Sequence, residues 1–134
     1  MSIMLLYAED DSEHRLMMRL IMKDTNAVLI SVANGEEALK QIQEQQPDII
    51  LLDLFLPKLD GFEVMEALKS NPATQHIPVI IVSARLTPEN RERARQIGAS
   101  DFIAKPYDPF DLLMLVDKYL TKSKRFTSPE FQES

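Results

Sequence analysis

Three consecutive carboxylates, Glu9, Asp10 and Asp11, follow the apolar run IMLLY near the start of the chain. Like charges this close repel one another, so a partly buried cluster of them does not stabilise a fold. A fourth acid, Asp53, ends the apolar run IILL, where a fully buried strand should carry no charge. Acids that share one crevice need a cation, and their oxygen ligands suit a hard one such as Mg²⁺, with Mn²⁺ as the alternative. The residue types therefore predict a metal site that leaves positions open for water and a phosphate.

The acids near the start of the chain also have a purely structural interpretation. Asp10 or Asp11 can cap the helix that follows, and Glu13 can complete a capping box to Asp10. That interpretation explains one or two carboxylates and leaves Asp53 without a reason to end a buried strand. Because a shared crevice explains Asp53 as well, the functional interpretation is favoured.

Two further polar side chains are predicted to reach the same crevice. Lys105 follows the fifth predicted strand and precedes Pro106, so its ammonium can pair with Asp53 or a phosphoryl group, although a solvated lysine fits equally well. Ser83 ends the fourth predicted strand, where a serine is also a common turn residue. The main-chain carbonyl of Phe55 is available as a third metal ligand. With a divalent metal the charges cancel, and a phosphoryl group can approach Asp53 to form an aspartyl phosphate.

The elements that position these residues are indicated by short apolar runs that alternate with segments of helical period. Five strands are predicted, and most are apolar throughout, as expected for strands buried on both faces. They cover residues 3–8, 27–32, 48–54, 77–83 and 101–105. Helix starts are indicated by Asn34, Thr87 and Asp108, the last two followed by proline, and a helix end by Gly98.

Five successive strand–helix units predict an α/β fold with one parallel sheet and right-handed crossovers. For five strands the common doubly wound, flavodoxin-like order is 2-1-3-4-5, and its topological switch lies between strands 1 and 3. Ligands bind at that point, beside the carboxyl ends of the strands. The topology therefore places Glu9, Asp10 and Asp53 at one edge of the sheet before any motif is considered.

The composition of the whole chain narrows the class of protein. Its 134 residues, 45% of them hydrophobic, are enough for one domain with one substantial core. The absence of cysteine excludes thiolate chemistry, and His14 and His76 lack the spacing of a zinc site. A formal net charge of −6 speaks against direct nucleic-acid binding by this domain. No apolar run approaches the roughly 20 residues that cross a bilayer, so a cytoplasmic protein without membrane contact is predicted.

The periodic pattern stops after residue 121. The domain is therefore predicted to cover residues 1–121, and a tail or linker stub residues 122–134.

Within the domain, the fourth helical segment, PENRERARQIG, is unusually polar. It is interpreted either as a solvated face with an i,i+4 pair between Glu89 and Arg93, or as a basic surface for a partner.

Taken jointly, four motifs resemble the receiver domain of two-component response regulators such as the chemotaxis regulators. The stretch LLYAEDD is similar to the acidic pair after the family's first strand, and LLDLFLPKLDG to its phosphoacceptor strand and following loop. VIIVSA carries the family's hydroxyl followed by a small residue, and GASDFIAKP carries its lysine–proline pair. The resemblance runs from residue 3 to about residue 121, in the right order and spacing.

The resemblance implies a role for each matching residue. Asp53 would be the phosphoacceptor, and Asp10 and Asp53 would be direct ligands of Mg²⁺. Glu9 would bind the metal directly or through water. Ser83 and Lys105 would contact the phosphoryl oxygens, and the peptide bond between Lys105 and the following proline would be cis.

Phe102, three residues before Lys105, falls at the family's aromatic switch position. Phosphate would draw Ser83 inward, and the vacated space would let Phe102 turn inward. The alternative for Phe102 is a plain core aromatic. Phenylalanine lacks the hydroxyl of the more common tyrosine, and Phe55 and Arg85 flank the path of a hydrolytic water. A long-lived phosphoryl group is therefore expected.

The implied function is that of a phosphorelay receiver, which is not an enzyme beyond assisting its own phosphorylation and dephosphorylation. A histidine kinase or histidine phosphotransfer protein would supply the phosphoryl group. The surface of the fourth helix, fifth strand and fifth helix would then switch for an unknown downstream protein, in a monomer or a phosphorylation-dependent dimer. A fragment of a larger hybrid kinase or DNA-binding regulator, and a non-phosphorylated scaffold, remain alternatives.

Two other classes of protein fit the sequence less well. A hydrolase of the haloacid dehalogenase type would need a second aspartate where Phe55 stands. A flavin- or nucleotide-binding module would need a loop rich in glycine, serine or threonine after the first strand, where this chain has AEDD.

Overall fold

The computed structural model describes residues 2–121 and 124–127, and strands alternate with helices along the chain. The strands are β1 (Ile3–Ala8), β2 (Ala27–Val32), β3 (Ile49–Leu52), β4 (Val79–Ser83) and β5 (Asp101–Ala104). The helices are α1 (Ser12–Met22), α2 (Gly35–Gln45), α3 (Gly61–Lys69), α4 (Pro88–Ile97) and α5 (Pro109–Lys118). Among the residues described, no helix is long and apolar enough to cross a membrane.

The five strands form one parallel sheet in the order β2-β1-β3-β4-β5, which confirms the predicted doubly wound fold. The central strands are apolar on both faces because helices cover both sides. On one side the sheet packs with side chains of α2, α3 and α4, and on the other with side chains of α1 and α5. The polar ends of the strands are therefore left at the edges of the sheet, where a site can form.

Strand and helix ends follow local hydrogen bonding. β4 starts at Val79, after a proline that has no N–H to donate to a ladder. β3 ends at Leu52, two residues before the predicted end, because the chain leaves the sheet at Asp53. Asp11 caps α1 by accepting from the N–H groups of Glu13 and His14, so the alternative in which Asp10 is the cap is wrong. The predicted caps of α2, α4 and α5 are confirmed.

A short segment after α5, residues 124–127, contacts the domain. Phe126 is only 4% exposed and packs in the apolar layer under α1 and α5. Arg125 pairs with Asp117, and the side-chain amide of Asn26 donates to the Arg125 carbonyl at 3.1 Å and accepts from the Thr127 N–H at 2.9 Å. The domain boundary at residue 121 stays a prediction, and the rest of the predicted tail, residues 122–123 and 128–134, lies outside the described residues.

Candidate functional site

Strand pairing brings Glu9 and Asp53 to one edge of the sheet. Ala8 at the end of β1 pairs with Leu52 at the end of β3, so the residues that follow them leave the sheet side by side. The Glu9 N–H donates to the Val32 carbonyl at 3.0 Å, and the Asp53 N–H donates to the Ala8 carbonyl at 3.1 Å. Both acidic residues are buried. Two carboxylates are thus held at the carboxyl ends of adjacent parallel strands, at the topological switch point.

The Lys105 ammonium lies between these two carboxylates. Its Nζ is 3.1 Å from Asp53 Oδ2, forms an ion pair with Glu9 Oε1, and is 3.1 Å from His14 Nδ1. Burial disfavours the charged ammonium, but the hydrogen bond to Glu9 and the charge of Asp53 outweigh burial and raise the pKa of Lys105. Lys105 is therefore charged at neutral pH and neutralises part of the acidic cluster.

Glu9 is also held by two hydrogen-bond donors. The Tyr7 hydroxyl donates to Glu9 Oε1 at 3.2 Å, and the Asp11 N–H donates to Glu9 Oε2 at 3.1 Å. Burial, and after it the charge of Glu9, raises the pKa of Tyr7 above its usual range and that of Tyr107 to about 12. Both phenols stay protonated at neutral pH, so Tyr7 remains a donor to the carboxylate.

The three acids fit a hard cation by their chemistry but are not gathered around one. Within residues 2–121 and 124–127, no three acidic or histidine side chains converge on a point that could hold a metal ion. Lys105 occupies the space between Glu9 and Asp53, and Asp10 is exposed. All three acids still supply oxygen ligands at one edge of the sheet, as Mg²⁺ prefers. A metal ion would compete with Lys105 for these oxygens, and the metal-ligand roles, including that of the Phe55 carbonyl, stay predictions.

Main-chain groups of Ser83 and Phe55 contact Lys105 and Asp53. Ser83 is buried, its hydroxyl oxygen accepts from the Arg85 N–H at 3.2 Å, and its carbonyl accepts from the Lys105 N–H at 3.0 Å. The Phe55 N–H donates to Asp53 Oδ1 at 3.2 Å, which orients the carboxylate. The Arg85 guanidinium lies over the Phe55 ring, 4.9 Å from its centroid. These two side chains therefore stack on each other, and the main chain of one of them contacts Asp53.

Gly61 lets the chain after Asp53 fold back against it. A Cβ atom at this position would lie 2.4 Å from the Asp53 carbonyl oxygen and 2.7 Å from Leu54 Cα. The Gly61 N–H instead donates to the Leu54 carbonyl at 2.8 Å. The Asp-Gly pair at the start of α3 thus fixes the backbone that carries Asp53, since only glycine fits this approach.

Known proteins share both the sequence pattern and the fold of this chain. The profile of the response regulator receiver domain matches residues 5–117. The chain belongs to the response regulator receiver domain family. Members of this family are the receivers of two-component systems, are phosphorylated on an aspartate, and interact with histidine kinases and downstream effectors.

Individual relatives of this receiver domain include regulators and a kinase. One relative is the phosphate regulon transcriptional regulatory protein PhoB of Escherichia coli, which is 33% identical over 109 residues. The match covers 81% of this chain and 48% of PhoB, so the chain spans about half the length of that relative. The chemotaxis protein CheY4 of Vibrio cholerae superposes with a TM-score of 0.84 and 25% identity, covering 90% of this chain and all of CheY4. A third similar structure is the receiver domain of the sensor histidine kinase PA1611 of Pseudomonas aeruginosa, which was solved with magnesium in its active site cleft. It superposes with a TM-score of 0.82 at 24% identity, and the match covers 89% of this chain and 98% of that domain.

In this receiver domain Phe102 lies on the same face of the sheet as Ser83. Phe102 pairs with Ile81 in the register between β4 and β5, and Ser83 pairs with Ala104 two positions further on. Residues two apart on a strand share a face, so Phe102 and Ser83 are diagonal neighbours. Phe102 is half-buried against the layer of α2, α3 and α4.

Three contacts of the receiver site were not predicted from the sequence. Tyr7 could have been found, because it lies two residues before Glu9 on a strand and so points to the same face. His14 carries no comparable signal, since it lies 91 positions from Lys105. Tyr107 is only two residues after Lys105, but it lies between β5 and α5, where no strand period indicates the direction of a side chain. The Lys105–Pro106 peptide bond is cis, as the resemblance implies.

Proposed function

We propose that the chain is a phosphorelay receiver that accepts a phosphoryl group on Asp53 from the phosphohistidine of a histidine kinase or a histidine phosphotransfer protein. The observation that carries this proposal is the position of Asp53. It is the one aspartate that is buried among the described residues, and its carboxylate lies 3.1 Å from Lys105 at the edge between β1 and β3. A buried carboxylate is costly unless it is compensated, which favours a functional reason for it.

The transfer needs a nucleophile and groups that receive the charge of the phosphoryl oxygens. A carboxylate oxygen of Asp53 forms the new P–O bond while the P–N bond of the phosphohistidine breaks, and the electron pair stays on the imidazole nitrogen. Lys105 would pair with the phosphoryl oxygens, and the Ser83 hydroxyl would donate to one of them. The chain assists only this transfer and the later hydrolysis, so we do not propose an enzyme with a separate substrate.

Mg²⁺ belongs to the proposal, with Mn²⁺ as a second hard cation. Glu9, Asp10 and Asp53 would hold the ion together with the main-chain carbonyl of Phe55. When bound, it offsets the negative charge of the phosphoryl group. The support for it is the donor chemistry and the charge of the cluster, because the single ammonium of Lys105 pairs with both Glu9 and Asp53, and Asp10 adds a further negative charge next to Glu9 in the chain.

The proposed docking surface for the phosphodonor is the apolar face of α1 and α5. Five of the seven exposed large apolar side chains in the described residues lie on these two helices, namely Leu16, Met17, Leu20, Phe110 and Met114. A cavity of about 340 Å³ joins this face to the site and is lined in part by Met17, His14 and Lys105. A partner that must bring a phosphohistidine to Asp53 fits a surface that leads there.

We further propose that the phosphoryl group is long-lived, because the Arg85 guanidinium lies over the ring of Phe55, whose N–H donates to Asp53 Oδ1, so two large side chains are held close to the acceptor. This pair would restrict the access of water to the phosphorus. Loss of the phosphoryl mass from the isolated protein should take minutes or longer, and Phe55→Asn should shorten it. Loss within seconds from the wild type would contradict this part of the proposal.

The proposed output is a change in the surface of α4, β5 and α5, driven by Ser83 and Phe102. A downstream protein would bind there, in the cytoplasm, with the receiver as a monomer or a phosphorylation-dependent dimer. PhoB, which is about twice as long as the matched segment, favours the alternative that a receiver like this one operates within a longer regulator. A scaffold without phosphorylation is the second alternative, and it is disfavoured because Asp53, Lys105 and Ser83 are all in place.

Intact-mass measurement after incubation with acetyl phosphate, with and without Mg²⁺, tests the proposal. We expect the mass of one phosphoryl group to be gained by the wild type in Mg²⁺, and not by Asp53→Asn. Asp111→Asn, at an exposed position on α5, is the matched control and should behave like the wild type. No gain, or a gain that survives Asp53→Asn, would refute Asp53 as the acceptor.

A further inference from the structure

Helix α4 contacts the domain through two apolar side chains, Ala94 and Ile97, and through two arginines that lie over aromatic rings. Ala94 is the one residue of the helix that is buried. The Arg93 guanidinium lies 3.9 Å from the centroid of the Phe62 ring, and the Arg91 guanidinium lies 5.3 Å from the centroid of the Phe102 ring. A cation over an aromatic face within about 6 Å of its centroid is attracted by the ring. The polar sequence of α4 therefore still gives it defined contacts.

The two contacts have different partners. Phe62 belongs to α3 and is almost fully buried, so its ring has no room to move. Phe102 belongs to β5, is half-buried, and is the diagonal neighbour of Ser83 on its sheet face. Its ring has no hydroxyl, so no hydrogen bond can fix its orientation. The guanidinium of Arg91 is thus a group that can hold this ring where it is.

We infer that Arg91 is a positioning residue that holds Phe102 in the half-buried orientation of the unphosphorylated protein and thereby opposes the switch. The inference rests on the proposed function, in which phosphorylation of Asp53 lets Phe102 turn inward. Arg91 is exposed and its guanidinium lies over the half-buried ring, so inward rotation of the ring would separate the two groups. The contact therefore stabilises the unphosphorylated arrangement more than the phosphorylated one.

The size of the effect follows from the exposure of the contact. A cation–aromatic contact near the surface shifts an equilibrium by about two- to five-fold. Removing Arg91 should therefore raise the population of the inward orientation by about that factor. If only the inward population reacts with a small donor, the rate of phosphorylation is proportional to that population and should rise by the same factor.

The test compares Arg91→Gln with Arg93→Gln. Both variants remove one guanidinium from α4, but only Arg91 contacts Phe102. The rate of phosphorylation by acetyl phosphate in Mg²⁺ is measured by intact mass, the orientation of the Phe102 ring by aromatic carbon NMR, and stability by urea unfolding. We expect about a two- to five-fold faster rate and a shifted Phe102 signal for Arg91→Gln. Arg93→Gln should lower stability without changing the rate.

A second substitution separates the contact from general loosening of the helix. In a Phe102→Leu background, Arg91→Gln should have no further effect on the rate, since the ring is already gone. Equal acceleration by both arginine variants, or acceleration that persists in the Phe102→Leu background, would overturn the inference. The inference would also be overturned if the wild type is phosphorylated and Arg91→Gln is phosphorylated at the same rate. If the wild type gains no phosphoryl group at all, the proposed function is refuted and this inference falls with it.

Discussion

Replacing Lys105 by methionine removes the ammonium that contacts both Glu9 and Asp53. The side chains of Lys105, Asp53 and Glu9 are 11%, 11% and 2% exposed, so the two carboxylates would be left in a poorly solvated place without their cation. Removing one partner of a buried ion pair typically costs about 3–5 kcal/mol. We therefore expect Lys105→Met to lower the free energy of unfolding by about this amount at pH 7 in the absence of divalent cations. That is a large fraction of the roughly 5–15 kcal/mol that stabilises an ordinary domain.

Urea unfolding in the presence of EDTA measures this loss. The matched control is Lys118→Met, because Lys118 is 68% exposed and lies 3.9 Å from Asp101, a surface pair worth about 0–1 kcal/mol.

The pKa of Lys105 is raised above the usual 10.5, so the contribution of its charge is fully present below that pH. It should be lost only as the pH rises through the higher pKa of the folded protein.

Mg²⁺ provides the second arm of this experiment. If the acids of the cluster bind the ion, Mg²⁺ should stabilise Lys105→Met more than the wild type, because the ammonium no longer competes for the carboxylates. A loss below about 1 kcal/mol for Lys105→Met would show that Glu9 and Asp53 do not depend on Lys105. Equal stabilisation of both proteins by Mg²⁺ would refute the competition.

Three further predictions concern other parts of the domain. Phe126→Ala should cost about 3–4 kcal/mol in urea unfolding, since the side chain is only 4% exposed. Phe110→Ala, at 41% exposure, should cost less than about 1 kcal/mol, and a loss as small as that for Phe126→Ala would show that burial of Phe126 does not stabilise the domain. The hydrogen bond from Arg125 lowers the pKa of Asp117 below the usual 3.8. The wild type should therefore be more stable than Asp117→Asn above that pH, and the difference should disappear as the pH falls through the lowered pKa. A difference that is independent of pH would contradict this. Leu20→Glu should slow transfer from a protein phosphodonor roughly tenfold and leave phosphorylation by acetyl phosphate unchanged. Val28→Glu, at an exposed position on β2, should affect neither reaction, and slowing by both variants would refute the docking surface.

The sequence determined the fold and the edge of the sheet at which the candidate site lies. Uniformly apolar runs predict strands covered on both faces, and five strand–helix units leave few topologies. Once the order is fixed, acids that end the first and third strands must meet at the same edge. This is why Glu9 and Asp53 could be placed together before the structure was known. Local patterns also predicted the caps of α2, α4 and α5, because a cap depends on residues a few positions apart.

Only the tertiary structure decided which atoms meet. The sequence could not show that Lys105 contacts Glu9 as well as Asp53, or that His14 lies beside it, because those contacts join residues about 90 positions apart. Nor could it show that Phe126 is buried or that Arg91 lies over Phe102, since neither follows from a helical or strand period. Periodicity fixes which face a side chain shares with its neighbours in an element. The packing of separate elements then decides whether an arginine is solvated or lies over a ring.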